Sequence, residues 1–219
     1  MNELKKEFVK FLLETKAVRF GEFKLKSRRI SPYFINIGEI IDGKNISKLG
    51  EFYAKAIMEY NIIDKIDVLF GPSYKGIPIV ISTAIALNNI FGICKRFAFN
   101  RKEIKDYGEK GIIIGEIKEG DRILLLDDVI TTGETKEEIL KIISSLNAKV
   151  CFIIIAVDRL EKGKTDLTAV KEFEIKYNIP VRAIVNIEDI IKIALEMNYI
   201  KEEDIEKIMN YLKEYGGKQ

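Results

Sequence analysis

The residues best equipped for chemistry stand at the end of an apolar run. In RILLLDDVITTGET, Asp127 and Asp128 follow Ile123 to Leu126 and lead into Val129, Ile130, Thr131, Thr132, Gly133, Glu134 and Thr135. The tract after the acids offers backbone N–H groups, hydroxyls and a glycine that lets the chain approach a ligand closely, a set suited to phosphate. Two carboxylates beside a phosphate cradle repel the ligand unless they receive its hydroxyls or meet a metal. A sugar phosphate accompanied by Mg2+ therefore fits better than phosphate alone. A plainer reading makes Thr135 to Glu138 a capping box with the acids facing the helix dipole, although a cap needs only one acid. Neither a Walker A loop nor a G-x-G-x-x-G turn is present. The chain has no histidine, which excludes Ser-His and Cys-His couples and leaves acid–base work to Asp, Glu, Lys or Tyr.

These residues need a frame, and from Lys65 onward apolar runs alternate with amphipathic stretches, the pattern of a parallel sheet flanked by helices. DVLFG, GICKRFAF, RILLLDD, KVCFIIIAVD and VRAIV read as five strands, with PIVISTAIALNNI and TKEEILKIISSLNA as helical crossovers. The expected fold is α/β, a mostly parallel five-stranded sheet in a single domain over residues 1–219. Residues 1 to about 40, a helix from Asn2 to about Lys16 and then an antiparallel excursion, form a small cap, and 187–219 supply C-terminal packing helices. Ligands of such sheets bind beyond the carboxyl ends of the strands, where Asp127 and Asp128 fall.

Composition bounds the rest. The chain has 219 residues, 47% hydrophobic and 32% charged, with a formal net charge of +2. This describes a soluble globular protein without the basic footprint of a nucleic-acid binder. The N-terminal stretch has acids interleaved and no unbroken apolar core, so neither a signal peptide nor a membrane span is expected, and the cytoplasm is the expected location. Cys94 and Cys151 lie in apolar runs without a CxxC partner and read as buried thiols.

LLLDDVITTGET resembles the signature of the type I phosphoribosyltransferases. In that family the acidic pair contacts the ribose hydroxyls of phosphoribosyl pyrophosphate and the Thr/Gly loop holds its 5-phosphate. Three further segments resemble the orotate-specific branch. FKLKSRRISPYFIN is similar to the substrate segment, which implies that Lys26 contacts the donor and that Phe34 and Ile35 flank orotate. Ile35 stands where the family has a second aromatic, so a backbone contact survives there but stacking does not. FGPSYKGIP resembles the pyrophosphate loop, implying donor contacts from Tyr74 and Lys75 and a cis peptide near Ser73-Tyr74. FNRKEIKDYGEKG, long and cationic, matches the mobile catalytic loop, implying that Arg101, Lys102 and Lys105 stabilise the leaving pyrophosphate in the neighbouring subunit of a homodimer. Tyr107 takes the place of a histidine common in relatives. Arg159, in AVDRLEKG, corresponds to the arginine that binds orotate, and a fork-shaped guanidinium suits a carboxylate or a pyrimidine edge.

Read without the resemblance, each segment has an ordinary alternative: core aromatics at Tyr33 and Phe34, a solvated lysine at Lys75, a solvated surface loop at 99–111, and a surface ion pair of Arg159 with Asp158 or Glu161. The resemblance implies orotate phosphoribosyl transfer in pyrimidine biosynthesis. The substrates are orotate and phosphoribosyl pyrophosphate, Mg2+ is carried by the donor, Asp127, Lys105, Lys102 and Arg101 are catalytic, and no nucleic acid or membrane is involved. Two alternatives stay open: a purine acceptor on the same fold, and a non-catalytic sensor of phosphoribosyl pyrophosphate.

Overall fold

The computed structural model describes residues 2–25, 29–105, 111–131 and 133–219, with the backbone alone at 104 and 105. The chain opens with α1 (Glu3–Glu14), a hairpin of β1 (Val18–Lys24) and β2 (Ile30–Ile35), and α2 (Gly43–Glu59). The α/β alternation follows: β3 (Val68–Gly71), α3 (Gly76–Phe91), β4 (Arg96–Lys105), β5 (Gly111–Gly115), β6 (Arg122–Asp127), α4 (Glu134–Ser145), β7 (Lys149–Asp158), α5 (Ala169–Tyr177) and β8 (Val181–Asn186). Helices α6 (Ile187–Glu196) and α7 (Glu202–Tyr215) end it. Among the described residues no helix is long and apolar enough to cross a membrane.

The main sheet has the order β5-β4-β3-β6-β7-β8, with five parallel strands and β5 antiparallel at the edge. Its central strands are apolar on both faces because both faces are covered. Leu69, Leu124, Leu126 and Ile154 join the core formed with α1, α2, α3 and α6. Val68, Phe70, Ile123, Leu125, Ile153 and Ile155 join the core under α4 and α5.

The sixth strand departs from the expected five. The charged tract from Phe99 continues β4 to Lys105, and the chain returns as β5 with Ala98 opposite Gly115. An edge ribbon exposes both its faces, so it accepts the alternating charges that read as a loop. Its tip at 106–110, with Tyr107, lies outside the described residues. Two helices that carried no expectation, α2 and α5, flank the sheet. The cysteines also depart from expectation: Cys94 is exposed and Cys151 half-buried. Cys94 precedes β4, which starts only at Arg96, and Cys151 precedes the continuously buried run that begins at Ile153.

The hairpin alternates, with Ser31, Tyr33 and Ile35 buried. Tyr33 meets Tyr211 of α7 edge-on at 5.8 Å, and the Arg29 guanidinium lies 4.8 Å from the Tyr215 ring centre. The C-terminal segment is stitched to the stretch after β7: Gly217 N–H donates to Leu160 O (2.9 Å), Lys162 N–H to Tyr215 O (2.8 Å) and Thr168 N–H to Lys218 O (2.9 Å). Cap, sheet edge and C-terminal helix thus meet beyond the end of β7.

Candidate active site

Strand order locates a crevice before any side chain is considered. The chain passes from β3 to β4 on one side and then returns to place β6 on the other side of β3. The connections after β3 and β6 therefore diverge at their carboxyl ends, the geometry in which open α/β sheets bind ligands. The loops at that point are 72–75 and 128–133.

The first loop is held at backbone contact. A Cβ on Gly71 would lie 2.1 Å from the Gly76 carbonyl oxygen, so the end of β3 and the start of α3 touch where only glycine fits. Gly76 N–H donates to Pro72 O (2.8 Å), Ser73 N–H donates to Asn100 Oδ1 (2.9 Å), and the Ser73-Tyr74 peptide is cis. Tyr74 is thrust outward, and Lys102 Nζ of β4 lies 5.9 Å from its ring centre. Lys75 points the other way and donates to Asp128 Oδ2 at 2.8 Å.

Asp127 and Asp128 end β6 as expected and are 7% and 6% exposed. Each carboxylate has its own lysine: Lys75 on Asp128, and Lys136 of α4 on Asp127 Oδ2. Lys136 Nζ also donates to Val129 O at 2.6 Å. Backbone N–H groups complete the pair, Asp128 donating to Asp127 Oδ1 (2.9 Å) and Val129 to Asp128 Oδ1 (2.8 Å). Below them, Tyr53 of α2 donates its hydroxyl to Asp127 O at 2.7 Å. Burial pushes the Asp127 carboxyl up, Lys136 opposes that, and the adjacent Asp128 charge adds to the rise. Burial also raises the Tyr53 phenol well above its ordinary value, so it stays a neutral donor.

Helix α4 starts at Glu134, one residue before the capping box expected from sequence. Gly133 occupies the N-cap position at φ +77°, and among the described residues no side chain caps the helix. The capping reading of Thr135 to Glu138 therefore fails, and the first-turn N–H groups of α4 begin directly after the 128–133 loop. Thr131, Glu134 and Thr135 are exposed there. Ile130 is buried in the core under α4 and Val129 packs on the opposite core, so these two offer a ligand backbone only. Lys26 and Thr132 lie outside the described residues, and so does the Lys105 side chain.

The acceptor-side residues divide. Arg159, one residue past β7, is 8% exposed, which removes the reading of a surface ion pair. Its Nε and Nη2 donate to Glu161 Oε1 at 3.0 and 2.5 Å, and the Tyr33 hydroxyl donates to the same oxygen at 2.8 Å. The guanidinium lies 5.0 Å from the Tyr33 ring centre. Burial pulls its pKa down, but Glu161, with Tyr33 and Tyr211, more than offsets burial and the net shift is upward. Leu160 beside it sits in the left-handed region at φ +54°, its N–H held by Asp158 Oδ1 (2.9 Å) and its carbonyl by Gly217. Tyr33 is the core aromatic of its segment. Phe34 is half-buried, stacked on Phe23 at 5.5 Å with the Arg19 guanidinium 5.5 Å from its ring centre. The Ile35 side chain is buried in the core, so only its backbone is open to a ligand. Arg101, half-buried on β4, donates from Nη1 to Gly111 O at 3.3 Å across the ribbon.

Two residues at the site carry no expectation from the sequence, Lys136 and Tyr53, while Glu161 is the partner of Arg159 that the sequence offers, paired in the interior and not at the surface. Lys136 is legible in principle: it shares the i, i+3, i+7 stripe with Ile139 and Ile143, whose side chains are buried, so the helix pattern puts a lysine where an apolar residue belongs. Tyr53 gives no such signal, since a tyrosine beneath a site looks like any other core tyrosine in sequence.

The chain also has well-defined relatives. Residues 36–185 match the model of the phosphoribosyl transferase domain family. The orotate phosphoribosyltransferase of Clostridium acetobutylicum is 42% identical over the full length of both chains. That of Aliivibrio fischeri is 44% identical over 99% of this chain and all of its own. The crystal structure of the Francisella tularensis orotate phosphoribosyltransferase superposes with a TM-score of 0.85 at 36% identity, covering 96% of this chain and 100% of that one. Strand order, the acid pair between β6 and α4, and this full-length similarity agree, and the chain belongs to the orotate phosphoribosyltransferase family.

Proposed function

We propose that the chain transfers the 5-phosphoribosyl group of phosphoribosyl pyrophosphate to N1 of orotate, giving orotidine 5-monophosphate and pyrophosphate for pyrimidine biosynthesis. The observation that carries the reading is the lysine-balanced acid pair at the switch point of the sheet, beside a helix N-terminus whose N-cap residue is a glycine. Orotate N1 gives up its proton to solvent or to the departing pyrophosphate and forms its bond to the anomeric carbon as the bond from that carbon to the pyrophosphate oxygen breaks, with inversion. Orotate is an acidic heterocycle whose N1 is ready to attack, so the chain has mainly to align reactants and stabilise separated charge. A site without histidine suits that task.

In this reading Asp127 and Asp128 accept hydrogen bonds from the ribose hydroxyls while the anomeric carbon gains positive character. The 128–135 tract receives the 5-phosphate through its N–H groups and hydroxyls, Thr132 included. Tyr74, Lys75 and Lys26 meet the pyrophosphate, and Arg101, Lys102 and Lys105 draw off its charge as it leaves. Phe34, the Ile35 backbone, Thr131 and Arg159 receive orotate.

The donor set argues for Mg2+ bound by the substrate. Among the described residues no three acids, cysteines or histidines cluster to hold a metal, and both crevice carboxylates already have lysine partners. Mg2+ typically keeps several waters and bridges phosphates, so it would arrive on the donor and neutralise the pyrophosphate. We propose a cytoplasmic homodimer in which the β4–β5 tip of one subunit completes the site of the other. Mixing a Lys105→Ala chain with an Asp127→Asn chain should then restore part of the activity, and no recovery after verified subunit exchange would refute the shared site.

The direct test follows orotate by ultraviolet absorbance with protein, phosphoribosyl pyrophosphate and Mg2+. A decrease that requires all of them is expected. No decrease with folded protein, together with consumption of adenine or hypoxanthine, would overturn the reading.

A further inference from the structure

Lysine is rarely buried without a partner, yet Lys136 is only 6% exposed and stands on the core-facing stripe of α4 with Ile139 and Ile143. Its ammonium has two destinations, the Asp127 carboxylate and the Val129 carbonyl (2.6 Å). The first is the last residue of β6 and the second lies just inside the loop assigned to the 5-phosphate. One buried side chain thus bridges the proposed ribose-binding acid and the entry of the phosphate loop.

The need for such a bridge follows from the surroundings of Asp127. Burial favours a neutral carboxyl and so does the negative Asp128 beside it. The other groups nearby supply no positive charge to it. Tyr53, from α2, gives its hydroxyl to the Asp127 backbone carbonyl and stays neutral. Lys75, from the start of α3, is paired with Asp128 and its side chain is 49% exposed, open to the crevice. Among the described residues this leaves Lys136 as the cation that faces Asp127. A protonated Asp127 would turn one oxygen into a donor and lose acceptor capacity for ribose hydroxyls. A carboxylate without its partner would also be free to rotate away from them.

We propose that Lys136 is a positioning residue for the phosphoribosyl donor: it holds Asp127 ionised and fixed for the ribose hydroxyls, and it pins the start of the phosphate loop through Val129. The inference rests on the function proposed above but concerns the donor side alone. With its buried ammonium already engaged by Asp127 and Val129, Lys136 acts through these two residues.

The test compares wild type with Lys136→Met, which keeps length and bulk without charge. Three quantities are measured: kcat/KM for the donor across pH, KM for orotate, and donor affinity by calorimetry. For Lys136→Met, donor kcat/KM at neutral pH should fall about tenfold or more, with the acid limb of the profile moving up by about one pH unit or more, a tenfold change per unit. Orotate KM should stay within about twofold, inside the factor allowed for context. An unmoved acid limb and unchanged donor kcat/KM in the folded variant would overturn the proposal.

A second comparison guards against loss of the fold in the single variant. In donor affinity, Asp127→Asn and the double variant Asp127→Asn/Lys136→Met should differ by clearly less than wild type and Lys136→Met do, since only the Val129 contact is left to lose. An equal loss in both backgrounds would mean that Lys136 does not act through Asp127 and would overturn that half of the proposal. Should wild type bind the donor without consuming orotate, the acceptor reading fails, while calorimetry on the same variants still decides the role of Lys136.

Discussion

Replacing Glu161 by glutamine keeps the side chain's size and removes the charge that balances Arg159. A single Glu161 oxygen takes three donors, two from Arg159 and one from Tyr33. At 8% exposure the guanidinium cannot recover that loss from water. Breaking a buried ion pair by removing one partner costs about 3–5 kcal/mol. Glutamine still offers one oxygen, which points to the lower end, about 3 kcal/mol. For a chain of this length each kcal/mol moves Tm by about 2–4 °C, so Glu161→Gln should melt about 6–12 °C below wild type. The same change frees Arg159 from its position over Tyr33, and losing about 1.4 kcal/mol of acceptor binding raises orotate KM about tenfold. Donor KM should hold, because the acid pair and its lysines are untouched. Thermal melts followed by circular dichroism, with initial rates against each substrate, measure all three. Wild-type Tm with unchanged orotate KM would show that Glu161 does not hold Arg159. An orotate KM that falls would show that Glu161 competes with the substrate for the guanidinium.

Gly71→Ala drives a methyl group into the Gly76 carbonyl and must move the 72–75 loop; overpacking of this kind costs about 1–3 kcal/mol, and a misplacement of about 1 Å can cost about a hundredfold in rate. Turnover should therefore fall far more than Tm predicts, as rates and melts on one preparation will tell. Lys105→Ala should lower kcat with little change in donor affinity if its contact forms in the transition state, and equal losses in a donor titration would refute that role. At the opposite end of the sheet, Arg122 holds the Asp67 carboxyl well below the usual range through contacts of 2.8 and 2.9 Å. Because the folded pKa is depressed, this stabilisation is complete above the unfolded value of about 3.9 and fades as pH falls from there toward the folded one. Asp67→Asn should lower Tm slightly at pH 7, lose that difference in acid, and leave turnover unchanged; a difference that persists at low pH would refute the assignment.

The parallel sheet was legible because doubly covered strands are apolar without interruption, as in RILLLD and CFIIIAV, and their crossovers keep helical spacing. The position of Asp127 and Asp128 followed from the same rule, since an apolar run that stops at two acids marks a strand's carboxyl end. The β4–β5 ribbon did not, because an edge strand with two exposed faces carries the charge pattern of a loop. Helix α2 was missed even though it packs Leu49, Phe52, Tyr53 and Ile57 into the core. Its poor helix formers, Gly43, Asn45 and Gly50, mask that spacing. Pairings across long distances were out of reach: nothing local ties Tyr33 to Glu161, 128 positions on. Lys136 differed, since its place on a buried stripe was visible and only its partner was hidden.

The seam between residues 160–168 and 216–218 has a consequence for how the protein is made. Translation delivers β1, β2 and Tyr33 first, then the sheet, and Arg159 with its strained neighbour Leu160 only after β7. The backbone groups that secure Leu160 and Thr168 come from Gly217 and Lys218, fifty or more positions later. Closing so distant a contact is slow compared with local helix formation. The donor side, built from segments between residues 71 and 136, has all its parts some eighty residues before the seam can close. On the ribosome, every segment of the proposed phosphoribosyl side has been made before the residues that close the proposed pyrimidine side.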